Sequence, residues 1–102
     1  MTLNSNAKIA DTNSDLLLIG NKTITTSQTI LAVSTSNNEA RQFVRIFNKG
    51  TNKIYIGVSG VTTTNGEPLE KNQNITIAIT SSLSLYAITA SGTSDVIIWE
   101  LG

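Results

Sequence analysis

A chain of 102 residues with seven basic and seven acidic side chains, no histidine and no cysteine is one domain by length. It lacks the commonest metal ligand and general base, and it has no disulfide to brace a modest core. Charged residues make up 14% of it, against roughly 25% in an average soluble domain. The few lysines and arginines are scattered, so the counterion release that drives nucleic-acid binding has no source.

Residues 1–15, MTLNSNAKIADTNSD, are polar and without period, and they read as a flexible N-terminal arm ahead of a single domain over 16–102. The apolar run that follows, Leu16, Leu17, Leu18 and Ile19, is far shorter than the roughly 20 residues that span a bilayer, and short of a secretory leader. No membrane partner is expected, synthesis is expected in the cytoplasm, and these four side chains are assigned to docking the arm. Beyond them Ile, Val and Thr recur in short blocks separated by Gly, Asn and Ser, with Pro68 the sole proline, a composition that favours strands. The predicted strands are Lys22 to Thr26, Thr29 to Ser34, Arg41 to Asn48, Lys53 to Val58, Asn74 to Thr80, Leu83 to Ala90 and Asp95 to Leu101. Their spacing suits an all-β domain, an antiparallel β-sandwich or jelly-roll-like barrel.

Asn48-Lys49-Gly50 lies between two strand patterns and offers glycine for a left-handed turn position, so Arg41 to Val58 reads as a hairpin. Gly57 and Gly60 then end or bulge its second strand, and Asn65-Gly66 makes a further turn before Pro68. Ile75, Ile77 and Ile79 alternate with Thr76, Ala78 and Thr80 as in a half-buried strand. Two other strands are apolar on both faces. Val44 and Ile46 share one side of theirs, with Phe43, Arg45 and Phe47 on the other; in the last strand Val96 and Ile98 oppose Ile97, Trp99 and Leu101. Such strands need cover on both faces. Either loops fold over them, or the outer face is buried against another subunit, and a chain with little polypeptide to spare favours the second.

The candidate chemistry is thin. Gly57-Val58-Ser59-Gly60 lacks the lysine of a phosphate loop and precedes β-prone residues where that loop needs a helix. Asp11-Thr12-Asn13-Ser14-Asp15 opens like a calcium loop, but Leu16 stands where glycine is needed and Lys22 where a bidentate glutamate belongs. Glu67 and Glu70 are close in sequence, yet acids on a proline-containing turn are usually solvated. Trp99 and Tyr86 could line a sugar platform, although a lone Trp in a small β domain is more often core or interface. The sequons at Asn21 and Asn74 mean little without secretion. No catalytic, metal or cofactor-binding residue is assigned, and no cofactor or enzymatic activity is expected.

From residue 41 to 100 the order of residues is distinctive: Val44-Arg45-Ile46-Phe47-Asn48-Lys49-Gly50-Thr51-Asn52, Ile54-Tyr55-Ile56-Gly57, Gly60-Val61-Thr62-Thr63 and Asn65-Gly66-Glu67-Pro68-Leu69. It continues with Ile75 to Ile79, Leu85-Tyr86-Ala87-Ile88, Ala90-Ser91-Gly92-Thr93 and Asp95-Val96. This stretch resembles a module of tailed bacteriophages found in small head-decoration proteins and in head or tail fibre pieces. Glu70-Lys71-Asn72 departs from it by lacking the glycine or alanine usual at that turn. The resemblance implies a virion structural protein with a β-sandwich, commonly a trimer on the capsid surface, whose partners are further copies of itself and the major capsid protein. Phe43, Phe47, Ile97, Trp99 and Leu101 are assigned to the oligomer or capsid interface, since interfaces favour aromatic anchors. The alternative is a fibre or tail-associated module that recognises host glycans.

Overall fold

The computed structural model describes residues 16–102. The expected arm and the stretch Asp11 to Asp15 lie outside the described residues. The described chain forms eight strands and no helix: β1 Leu16–Ile24, β2 Thr29–Ile30, β3 Phe43–Asn48, β4 Ile54–Gly57, β5 Glu67–Leu69, β6 Asn74–Ala78, β7 Tyr86–Thr89 and β8 Ser94–Leu101. They make two four-stranded antiparallel sheets, ordered β1-β8-β3-β6 (sheet A) and β2-β7-β4-β5 (sheet B). The pairing is nested: β4 with β5, β3 with β6, β2 with β7 and β1 with β8, as in one long hairpin whose tip is β4 and β5. Folding that hairpin over itself brings β3 to β8 and β4 to β7. The product has the strand order of an eight-stranded jelly roll, so the expected all-β sandwich is the fold of this chain.

The core lies between the sheets. Val44, Ile46, Val96 and Ile98 enter it from sheet A, Ile54, Ile56, Leu69 and Ala87 from sheet B, joined by Ile24, Leu31 and Leu85. Each fully buried isoleucine contributes about 1.5–3 kcal/mol. Ile75 and Ile77 of β6, with Ile79 just past its end, pack on the rim of this cluster and stay half-buried, because β6 is the outermost strand of its sheet.

Several local expectations are corrected. Arg41 to Val58 is not a hairpin: β3 belongs to sheet A and β4 to sheet B, and Asn48 to Lys53 carries the chain from one sheet to the other. Gly50 is required there for closeness and not for a left-handed backbone, since a Cβ would lie 2.6 Å from the Asp95 nitrogen and 2.7 Å from the Ser94 Cα. Among the described residues the left-handed positions are Gly60, Gly92 and Asn72. Asn72 (φ 66°) fills the turn that lacked glycine, asparagine being one of the side chains that tolerate this region. The first strand starts at Leu16 and not Lys22, the second shrinks to Thr29–Ile30, and β5 was not expected at all. It is three residues long and holds a proline, which an outermost strand can accept.

Two buried polar clusters fix the ends of the central strands β3 and β8. At one end Asn48 Nδ2 donates to the carbonyls of Asn52 (2.9 Å) and Leu69 (3.0 Å), while its Oδ1 accepts from Ser94 Oγ (2.7 Å) and Gly50 N–H (3.2 Å). At the other, the Arg41 guanidinium lies 3.5 Å from the Glu100 carboxylate, both side chains fully buried. Arg41 also donates to Asn37 Oδ1 and to the carbonyls of Thr80 and Leu83, at 2.8–3.0 Å. Glu100 accepts from the N–H groups of Val33 (3.3 Å) and Asn38 (3.1 Å). Burial lowers the affinity of Arg41 for its proton and the Glu100 charge opposes this. The pair thereby ties the 31–42 and 79–85 segments to the core strands.

Candidate functional site

Alternation along β3 and β8 turns one set of side chains into the core and the other to the outer face of sheet A, over which the described chain lays no further sheet. Register then groups them. Phe43 pairs with Leu101, Arg45 with Trp99 and Phe47 with Ile97. The flanking strands extend each rung: Ala78, Thr76 and Asn74 of β6 lie beside Phe43, Arg45 and Phe47, and Leu16, Ile19 and Asn21 of β1 lie beside Leu101, Trp99 and Ile97. All five residues assigned to an interface therefore share one face. Phe43 is 40% exposed and Ile19 50%, while Phe47, Ile97, Trp99 and Leu101 are half-buried by their neighbours.

The chemistry of this face is aromatic and aliphatic at the centre and polar at the rim, where amides and hydroxyls stand with the Asp95 carboxylate. Its central charge, the Arg45 guanidinium, lies 5.6 Å from the centroid of the Trp99 ring, where the quadrupole of the indole attracts it. Arg45 thus lies over Trp99, and among the described residues its guanidinium donates to no acceptor. Asn21, Asn74 and Thr76 supply amides and a hydroxyl at the flanks, and Thr23 donates to Asp95 (2.7 Å) one rung beyond Ile97. Both sequon asparagines, Asn21 and Asn74, occupy the same rung.

Leu16, Leu17, Leu18 and Ile19 lie in β1, hydrogen-bonded to β8 of the same chain, with a bulge between Leu16 and Leu18. Leu16 and Ile19 add apolar surface to the outer face, while Leu18 lies in register with inward-facing Glu100; the arm these residues were assigned to dock is outside the described residues.

The other candidates are not brought together. Tyr86 lies in β7, in register with Ile30 and Gly57, on the outward side of sheet B, so Tyr86 and Trp99 stand on opposite faces of the sandwich and form no joint platform. Glu67 is exposed in β5, and exposed Glu70 is 3.4 Å from Lys53, whose affinity for its proton it raises. The Gly57 to Gly60 segment closes a turn in which Val61 N–H donates to Val58 O (3.0 Å) and Gly60 N–H to Gln28 Oε1 (2.8 Å). The Gly60 amide is thus spent within the chain, and a turn, not a helix, follows. Among the described residues no three acidic, histidine or cysteine side chains gather as a metal site.

The Arg41–Glu100 pair escaped sequence reasoning. Its one signal was parity: Glu100 alternates in step with Val96 and Ile98, which places a carboxylate in the core and demands a cationic partner. Comparison with protein-family models, with curated proteins and with solved structures finds no match for the chain.

Proposed function

We propose that this chain is a structural subunit of a bacteriophage particle, a decoration protein that attaches to the head through the outer face of sheet A and stabilises the shell. One observation carries the reading: three rungs on the two central strands of sheet A, aromatic and aliphatic but for Arg45, have no further sheet laid over them among the described residues, and their side chains are exposed or only half-buried. Sandwich sheets of this type ordinarily present polar side chains outward. A contiguous apolar patch rimmed by amides and hydroxyls is the signature of an association surface. Jelly rolls occur in viral capsid domains and in lectins alike, so fold analogy permits this reading without selecting it.

The work of such a subunit is mechanical. Phe43, Phe47 and Trp99 act as anchors in depressions of the major capsid protein, Ile97 and Leu101 fill between them, and Arg45 meets a capsid carbonyl or carboxylate at the edge of the indole. Burying this face across neighbouring capsomers adds contact area that must be lost before the shell opens. No cofactor takes part, and the site of action is the virion surface.

The test is adsorption to heads of the parent phage that lack this protein. The wild type is expected to bind to saturation at a fixed copy number per head, and Phe47→Asp, folded as judged by circular dichroism, is expected not to bind. Retention on host envelopes with no uptake by heads would overturn the reading in favour of a glycan-recognising fibre module.

A further inference from the structure

The two sheets end in four strands, and three of these are blunted against pairing with another chain. β1 has its bulge and directs the Lys22 ammonium to the carbonyls of Ser34 (2.8 Å) and Ile30 (3.4 Å). β2 is two residues long, and β5 is three residues long with Glu67 and Pro68. Bulges, inward lysines, brevity, charge and proline are the devices by which β proteins keep their edges from joining others. β6 has none of them. It is five residues long, Asn74-Ile75-Thr76-Ile77-Ala78, without charge, proline or irregularity in its register with β3.

Which groups β6 offers follows from that register. Asn48 N–H donates to Gln73 O and Ile79 N–H to Gln42 O, both at 2.9 Å, and these two bonds bracket the β3–β6 ladder and set its phase. Alternate residues of an antiparallel strand face the same neighbour, so Ile75 and Ile77 bond to β3. The N–H and C=O groups of Asn74, Thr76 and Ala78 point to the open side, and among the described residues none of them has a strand partner there.

We propose that β6 pairs antiparallel with β6 of a second copy of this chain, about a two-fold axis at Thr76. Centring there engages all three open residues, Thr76 opposite Thr76 and Asn74 opposite Ala78, whereas centring on Ile75 or Ile77 engages only two. Threonine pairs well with threonine across strands, and no like charges meet. On the inner side the half-buried Ile75 of each copy comes beside Ile77 of the other, which covers the thinly protected rim of each core. The joint is isologous. It produces a continuous eight-stranded sheet in which two copies present their Phe43, Phe47 and Trp99 faces side by side, and it does not depend on what that face binds.

The experiment is light scattering on the full chain. Thr76→Lys and Thr76→Glu change a side chain that stands exposed on the outer face, and circular dichroism checks that each variant is folded. The wild type is expected at the mass of two chains, each variant alone at the mass of one, and an equimolar mixture of the variants at two again, because opposite charges then meet across the axis. A wild type of one chain or of three, the latter being the assembly implied by the phage resemblance, would overturn the proposal. So would a variant that stays paired alone, or a mixture that fails to pair. Binding of the wild type to heads can persist in any of these cases, so the joint and the proposed function fail separately.

Discussion

The two sides of sheet A are both apolar, but they are built from different shapes. The inner side carries Val44, Ile46, Val96 and Ile98, branched side chains that are fully buried and fill the roughly 10 Å between packed sheets. The outer side carries Phe43, Phe47 and Trp99 with Ile97 and Leu101, broad side chains none of which is fully buried. Charge is treated differently too. Glu100 on the inner side is answered by Arg41 and sealed from water, whereas Arg45 on the outer side rests on an indole and among the described residues has no carboxylate partner. Side-chain shape and the handling of charge separate the core side of this sheet from its outer side, where hydrophobicity alone does not.

The sharpest way to break this contrast is to unbalance the inner charge. Glu100→Ala leaves a guanidinium buried without its counter-charge and two N–H groups without an acceptor, an expected loss of about 3–5 kcal/mol in urea unfolding. Next come neighbours on one strand with opposite orientation. Ile98→Ala opens a cavity in the core and is expected to cost about 2–5 kcal/mol, while Ile97→Ala should cost clearly less in the same measurement. Trp99→Ala should lower stability by only about 1 kcal/mol, including its contact with Arg45, yet remove adsorption to heads; equal losses for Trp99→Ala and Ile98→Ala would erase the distinction between the faces.

The smallest effect belongs to the exposed pair on sheet B. Glu70 holds Lys53 above its ordinary value of 10.5. A group raised on folding contributes stability that is complete below its unfolded value and disappears as pH climbs through the folded one. Thermal unfolding should therefore respond to this pair only above about pH 10.5, by a slight fall in Tm that Glu70→Gln diminishes, Tyr55 being the second group that raises Lys53.

Much of this was legible in the chain because alternation is a local property. The Ile75, Ile77, Ile79 pattern located β6, and the opposed sets on β3 and β8 named the outer face before any register was known. What escaped was non-local. A glycine between two strand patterns looks the same whether the chain turns back on itself or crosses to the other sheet, so Asn48 to Gly50 was misread. Leu16 to Ile19 has no alternation to mark it as a strand; its pairing with β8 reveals it. Pro68 and Glu67 argue against a strand on propensity, and β5 exists because an outermost position tolerates both. Arg41 and Glu100 are distant in sequence, and Tyr86 and Trp99 gave no hint of lying on opposite faces.

The position of β8 has a kinetic consequence. It lies between β1 and β3 and hydrogen-bonds to both, so sheet A has no middle until residues 94–101 have left the ribosome. A nascent chain short of that point holds two strands with a gap where their common neighbour belongs, and contacts this remote in sequence close slowly. Completion of sheet A thus waits on β8, the last of the eight described strands to be translated, and the outer face of that sheet comes into being only after it has slotted home.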